Sequence, residues 1–336
     1  MRIAQVSTLA TPVGPGRVGS VEGLVWLLAR ELTARGHEVT LFAAGGSDAS
    51  PARLVETTSA PYTWEGGPED WQLAEWINLC AAVARSREFD VLHTHAYLWG
   101  LPLAPLSSAR MVATTHVMPS RDAAALRRTH PEACVTAISR YQWSAHPGLA
   151  AVPVIPHGLD TEALRPVEEP GEHLLWMGRF AAYKGPLDAI RVARAVGRRL
   201  VLAGPRNRYY DEVVAPHVDG EHVSYVGYVG GEERTRVLAR AGALIYPVGA
   251  PEPFGLVLAE AMLCGTPVAA LALGAVPEVV DEGVTGATAE DVDGLAEAVS
   301  LALEVPRAGV RRRAVERFSV QRMTDDYLRV YETVTA

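Results

Sequence analysis

The feature that most constrains this chain is a rhythm that runs through it twice. Short apolar runs, each closed by glycine or a polar cluster, alternate with stretches of helical spacing. Parallel strands need a crossover to return to the same end of a sheet, so strands separated by helices point to parallel sheets with covered faces. Ile3 to Leu9 reads as the first strand, a Gly/Pro loop runs from Thr11 to Gly19, and Leu24, Leu27, Leu28 and Leu32 then repeat at helical spacing. A second strand follows Gly36, and "DVLHTHA", "RMVATTHV" and "ACVTAIS" continue the pattern. Around "VPVIPHGLD" and "EALRPVEEPGEH" prolines and charge accumulate without periodicity, which places a domain boundary there. From His173 the rhythm restarts: "HLLWMGR", a helix through Leu187 to Ala195, "RLVLAGP", "VSYVGYV", "GALIYPV", a long helix from Phe254, and "TPVAALAL". At roughly 150 residues per domain, 336 residues accommodate two α/β domains, expected at 1–158 and 159–319. A final helix puts Met323, Tyr327, Val330 and Tyr331 on one apolar face that must dock.

Composition narrows the function classes. Thirty-one Lys and Arg against 39 Asp and Glu give a formal charge of -8, which argues against a nucleic-acid partner. Cys80, Cys134 and Cys264 are odd in number and far apart, so neither a disulfide framework nor a zinc knuckle is expected, and a reducing, cytoplasmic setting fits. The opening "MRIAQVSTLA" is broken by Gln5, Ser7 and Thr8 and reads as a strand rather than a signal peptide. The longest apolar stretch, Ala261 to Val276, is interrupted by Gly265, Pro267 and Gly274 and falls short of a ~20-residue span, so no integral membrane segment is expected.

Four groups of residues carry candidate chemistry. Gly14, Gly16 and Gly19 spell G-x-G-x-x-G, a dinucleotide pattern, yet the second strand ends in Ala43, Ala44 and Gly45 where an acid would hold the ribose. A loop at a helix N-terminus, its amides turned toward phosphate or sugar, accounts for the same glycines. In "WMGRFAAYKG", Arg179 ends a strand and Lys184 begins the next helix, so two cations meet at the carboxyl edge of a sheet, where a diphosphate suits them and where solvated surface charge is the competing reading. In "PEPFGLVLAEAMLCGTPV", Glu252 lies in a turn and Glu260 about two helical turns later, with the backbone amides of Phe254, Gly255 and Leu256 at the helix start as donors. A helix with one acid suited to its dipole and one on its surface would look similar. His116 closes "VATTHV" at a strand end; His93, His95 and His157 are weaker candidates. No metal-ligand spacing is present, and Asp291 and Asp293 read as a helix N-terminus.

Together these segments resemble family 4 of the retaining GT-B glycosyltransferases. The likeness rests on "GRVGSVEGLVWLLARELTARGHEVTLF", "DVLHTHA", "VATTHV", "VIPHGLD", "MGRFAAYKG", "VSYVGYVGGEE", "PEPFGLVLAEAMLCGTPV", "GAVPEVV" and "GVTGA", in family order. The resemblance implies two Rossmann-like domains with parallel sheets, the first binding the acceptor and the second the nucleotide-sugar donor, with a helix of about 320–336 completing the first. It implies that Arg179 and Lys184 meet the donor diphosphate, Glu260 the ribose, and Glu252 with the amides of Phe254, Gly255 and Leu256 the donor sugar. It places His116 beside the transferred sugar and Gly16 and Gly19 in a loop over phosphate.

The expected reaction moves a sugar from a UDP- or GDP-sugar to a hydroxyl of a small-molecule, natural-product or glycan acceptor, with retention and no metal or other cofactor. Cations and helix amides aimed at the leaving phosphate favour the transition state over the ground state. Three departures stand out: Ser20 replaces the second glycine of a usual pair, His157 replaces an asparagine, and the chain is short for the family. A nucleotide-sugar 2-epimerase and a non-catalytic nucleotide-sugar-binding protein are the rival readings.

Overall fold

A computed structural model describes residues 1–16, 20–146 and 152–336. The chain divides into two units, Met1–Gly158 with Val320–Ala336, and Leu159–Ser319. In the first unit, β1 (Arg2–Val6), β2 (Glu38–Ala44), β3 (Arg53–Thr58), β4 (Val91–Thr94), β5 (Arg110–Thr114) and β6 (Cys134–Thr136) form one sheet in the order β3-β2-β1-β4-β5-β6. Every pairing is parallel; Ile3 stands opposite Val39 on one side and Val91 on the other. The order reverses between β1 and β4, so the loops leaving those strands diverge there.

Helices cover this sheet because their apolar stripes have nowhere else to go. Ser20, the departure from the glycine pair, caps the helix Val21–Ala34 by accepting from the Gly23 amide at 3.1 Å. That helix buries Leu24, Val25, Leu28 and Leu32. The last helix, Val320–Thr335, packs Val320, Met323, Tyr327, Val330 and Tyr331 into the same cluster as Ile3, Leu28, Leu32, Val91 and Val112. The guanidinium of Arg322 fixes its start, donating to the carbonyls of Pro156 (2.7 Å) and His157 (3.0 Å).

The second unit repeats the plan with β7 (Leu174–Met177), β8 (Leu200–Ala203), β9 (Val223–Tyr225), β10 (Ala243–Tyr246), β11 (Val268–Leu271) and β12 (Gly286–Ala289), ordered β12-β11-β10-β7-β8-β9. All pairs are again parallel, and the order reverses between β7 and β10. The expected two-domain α/β fold with parallel sheets is the one observed. Two edge strands, β3 and β12, have no counterpart in the sequence reading: "RLVETT" is only half buried and "GATA" has no bulky apolar residue, so neither shows a buried-strand run. The helix expected from Phe254 starts at Leu256 and ends at Leu263, since the Phe254 ring turns into the core against Phe318 at 5.8 Å.

Arginine side chains satisfy helix-end carbonyls in this unit. Arg307 donates to the carbonyls of Ala239 (2.6 Å) and Ala241 (2.7 Å) and to Thr266 Oγ1 (2.9 Å), and burial pushes its pKa down. Replacing it with an apolar chain leaves those acceptors without their donor. Arg307→Met is therefore expected to destabilise the second unit by about 2 kcal/mol. Urea titration followed by circular dichroism measures it, and an unchanged midpoint would show that water replaces the guanidinium at no cost.

Candidate functional site

In the second unit, the β7 run "LLWM" is buried and ends where Gly178 and Arg179 leave the sheet. A short 3-10 turn, Ala182–Lys184, follows, its Lys184 carbonyl accepting from the Trp176 indole at 3.0 Å. Gly185 then starts the helix Pro186–Ala195 in the left-handed region (φ 67°), where an added Cβ would lie 2.2 Å from the Pro247 carbonyl oxygen. Both cations gather about one ring. Arg179 donates to the Tyr183 hydroxyl at 3.1 Å, and the Lys184 ammonium stands 5.3 Å from the Tyr183 ring centre.

Glu252 follows β10, on the other side of the reversal. One carboxylate oxygen accepts from Lys184 Nζ and the other from the Tyr246 hydroxyl. Burial, and then the Glu252 charge, push the Tyr246 pKa up, so this phenol stays a donor. Gly274 holds the turn from outside: its φ is 64°, a Cβ there would sit 2.6 Å from the Glu252 backbone, and the next amide, Ala275, donates to the Glu252 carbonyl at 3.0 Å. The helix Leu256–Leu263 begins directly after Gly255, and the amides of a first turn have no carbonyl partners within their own helix. Leu256 is half buried at this start, while Phe254 lends only its backbone.

Glu260, on that helix, is fully buried. Arg234 reaches it from the helix Gly231–Arg240, with Nε 3.0 Å from Oε2 and Nη2 on the same oxygen. Oε1 is buried without a hydrogen-bond partner among the described residues. The sequence reading missed Arg234, Tyr183 and Tyr246. Arg234 sits in "GGEERTR", which reads as an ordinary charged helix start, whereas Tyr246 closes the apolar strand "GALIYPV", where its polar tip at a carboxyl edge is the one signal that could have found it.

In the first unit His116 follows β5 and is half buried. Its Nε2 is 3.0 Å from His95 Nδ1, and its ring stacks on that of His157 with centres 5.2 Å apart and an interplanar angle of 11°. His157, where the family pattern has asparagine, is thus a buried cover for His116. Burial pulls the His116 pKa down to about 4 and that of His93 to about 3. Gly16 lies in the loop after β1 with φ 75° and open space around it; Gly19 lies outside the described residues. Asp291 accepts from the Gly294 amide at 2.9 Å just ahead of the helix Leu295–Glu304. Among the described residues no helix is long and apolar enough to cross a membrane, and no three His, Cys, Asp or Glu side chains are grouped to hold a metal ion.

Comparison with known proteins bears on both units. The family Glycosyltransferase Family 4 matches residues 21–163, and Glycosyl transferases group 1 matches residues 171–304. The chain is 29% identical to a glycogen synthase of Mycobacterium tuberculosis, covering 97% of this chain and 91% of that protein. It is 26% identical to a D-inositol 3-phosphate glycosyltransferase of Kribbella flavida, covering 99% and 96%. Among solved structures, AviGT4, a glycosyltransferase involved in avilamycin A biosynthesis, is 26% identical with a TM-score of 0.76 over 100% of this chain and 98% of that one. Anabaena HepE in complex with UDP-glucose shares the fold at 19% identity, with a TM-score of 0.72 over 99% and 100%. The chain belongs to the GT-B glycosyltransferases of family 4 and group 1, and it is a glycosyltransferase.

Proposed function

We propose that this glycosyltransferase moves a sugar from a UDP- or GDP-sugar to a hydroxyl of a small-molecule, natural-product or glycan acceptor, with net retention and without a metal. The observation that carries the reading is the pairing of Lys184 with Glu252 at the reversal point of the second sheet, beside the start of the helix that carries Glu260. A diphosphate arriving there would draw Lys184, and Arg179 with it, toward its oxygens. Glu252 would then keep Tyr246 and turn its other oxygen to a sugar hydroxyl. The open Oε1 of Glu260 suits a ribose hydroxyl, which supplies the donor that this atom lacks.

In the transition state negative charge grows on the leaving phosphate. Lys184, Arg179 and the helix-start amides of Gly255 and Leu256 would stabilise that charge more than they stabilise the bound donor. On this reading the leaving phosphate takes the acceptor proton on the face from which it departs, so no second carboxylate is needed opposite it. His116 would meet the transferred sugar, with the first unit holding the acceptor. HepE was crystallised with UDP-glucose, and the relatives include a glycogen synthase and an inositol-phosphate glycosyltransferase, which supports a nucleotide-sugar donor and a hydroxyl acceptor.

Incubation with a panel of nucleotide sugars and acceptors, followed by NMR of the product's anomeric coupling, tests the whole reading. Transfer with the donor's configuration kept is the expected result; an inverted linkage would falsify it, and epimerised donor without transfer would favour the epimerase.

Lys184→Ala is expected to lower kcat/KM for the donor by about 2 kcal/mol, some thirtyfold, through loss of a charge-assisted contact. Arg179→Ala should act in the same direction. Unchanged kinetics in both folded variants would return these cations to the solvated surface.

The two acids should separate in calorimetric titrations of UDP and GDP run in excess EDTA. Glu260→Gln is expected to weaken free-nucleotide binding, because a ribose contact persists in the product, while Glu252→Gln should spare it and lower kcat. Equal losses of nucleotide affinity would show that the division of labour is wrong.

A further inference from the structure

A chain of buried hydrogen bonds in the first unit ends on His116, and its polarity can be read link by link. Tyr331, on the last helix, accepts at its hydroxyl from Gln5 Nε2 (3.0 Å) and stands 2.7 Å from His93 Nδ1. Since the Gln5 amide nitrogen faces Tyr331, its oxygen faces His95 Nε2 at 2.9 Å, and that nitrogen must carry the proton. Burial keeps His95 neutral, so its Nδ1 holds a lone pair. That lone pair lies 3.0 Å from His116 Nε2, which therefore donates. A neutral His116 with its proton on Nε2 carries its remaining lone pair on Nδ1. This is the atom that is buried without a hydrogen-bond partner among the described residues. A buried acceptor left unmatched is costly, and at the carboxyl end of a parallel sheet a ligand is the natural source of the missing donor.

The geometry points to Gln5 and His95 as positioning residues that lock His116 in the Nε2-protonated tautomer, so that Nδ1 accepts from a substrate hydroxyl. The inference rests on the placing of His116 at the reacting sugar proposed above, and it adds the device that sets the direction of its hydrogen bond. The tautomer decides what His116 can do: the other one would present an N–H and repel the same hydroxyl proton. A wrong tautomer can cost an enzyme about 10⁴-fold in rate with its geometry intact. His157, stacked face to face on the ring, limits rotation out of this arrangement.

The tautomer is measurable without substrate. The 336-residue chain carrying heavy-nitrogen histidine, studied by two-bond proton–nitrogen correlation at neutral pH, is expected to show His116 protonated on Nε2 and bare on Nδ1, with its signals identified by their loss in His116→Gln. Protonation on Nδ1 overturns the inference and leaves the glycosyl-transfer reading untouched. Kinetics test the positioning role. His95→Leu removes the acceptor of the His116 proton and is expected to lower kcat about ten- to hundredfold, with the Kd for UDP unchanged. His95→Asn offers an amide oxygen near the same place and should restore most of the rate. If His95→Leu does not fold, Gln5→Met, which deprives His95 Nε2 of its acceptor, replaces it with the same expected loss. Equal losses in His95→Leu and His95→Asn, or full activity in His95→Leu, overturn the positioning role and leave the glycosyl-transfer reading untouched.

Discussion

Parallel strand pairing is the constraint from which the arrangement of this molecule follows. Every strand of both sheets runs in the same sense as its neighbours, so within each unit all strand carboxyl ends gather on one edge. Strand order then selects a place on that edge. At β1/β4 and at β7/β10 successive connections leave in opposite directions, and the diverging loops open a crevice there. His95 lies just beyond β4 and His116 just beyond β5; Arg179 and Lys184 follow β7, and Glu252 follows β10. Residues remote in sequence, such as Lys184 and Glu252, meet because the backbone ladders that support them are neighbours.

The two units solve the problem of buried polarity differently. The first buries Gln5, His93, His95, Thr114, Thr136 and two tyrosines as a neutral hydrogen-bonded chain. Neutral groups cost far less to bury than charges, and the depressed pKa values of His93 and His116 keep them so across the physiological range. A network of this kind specifies a unique packing, because any rotated member leaves two partners unmatched. The second unit instead buries a charge, Glu260, against Arg234. Desolvation makes such a pair a poor source of stability, and on the proposed reading its place is set by the ribose hydroxyl that the carboxylate would accept from.

How much of this the sequence reveals depends on which physical signal a residue leaves. Of the central strands, the "LLWM" of β7 stands out as an apolar block, and the "VLHT" of β4 is buried at every position. The edge strands β3 and β12 leave no such block, because "RLVETT" is only half buried and "GATA" has no bulky apolar side chain. The apolar face of the last helix was legible from Met323, Tyr327, Val330 and Tyr331, although its spacing does not say that two of those residues carry hydroxyls into a histidine network. Lys184, Glu252 and Glu260 were visible through the glycines and prolines around them, since turns at strand ends leave strong local marks. Arg234 and Gln5 left none. Each acts through a partner 26 or 90 positions away, and long-range pairing has no local signature.

If Lys184 and Glu252 meet the donor as proposed, their pairing shows why a transfer site is better built from paired charges than from isolated ones. An unpartnered lysine or glutamate at a half-buried edge would be held only by water, and each would have to be ordered when a ligand arrives. Paired, with Tyr246 holding the second carboxylate oxygen and Tyr183 lying beneath the ammonium, both groups are already confined to the place where they would be used. On the proposed reading the donor exchanges one set of charge contacts for another: phosphate oxygens replace the carboxylate at Lys184, and a sugar hydroxyl replaces the ammonium at Glu252. Such an exchange is nearly balanced in the ground state, because each new contact costs an old one. It becomes favourable as charge builds on the departing phosphate, when Lys184 gains more from phosphate than it gave up with Glu252. On that reading the Lys184–Glu252 ion pair would withhold binding energy from the ground state and release it in the transition state, which is the condition for raising kcat rather than tightening substrate binding.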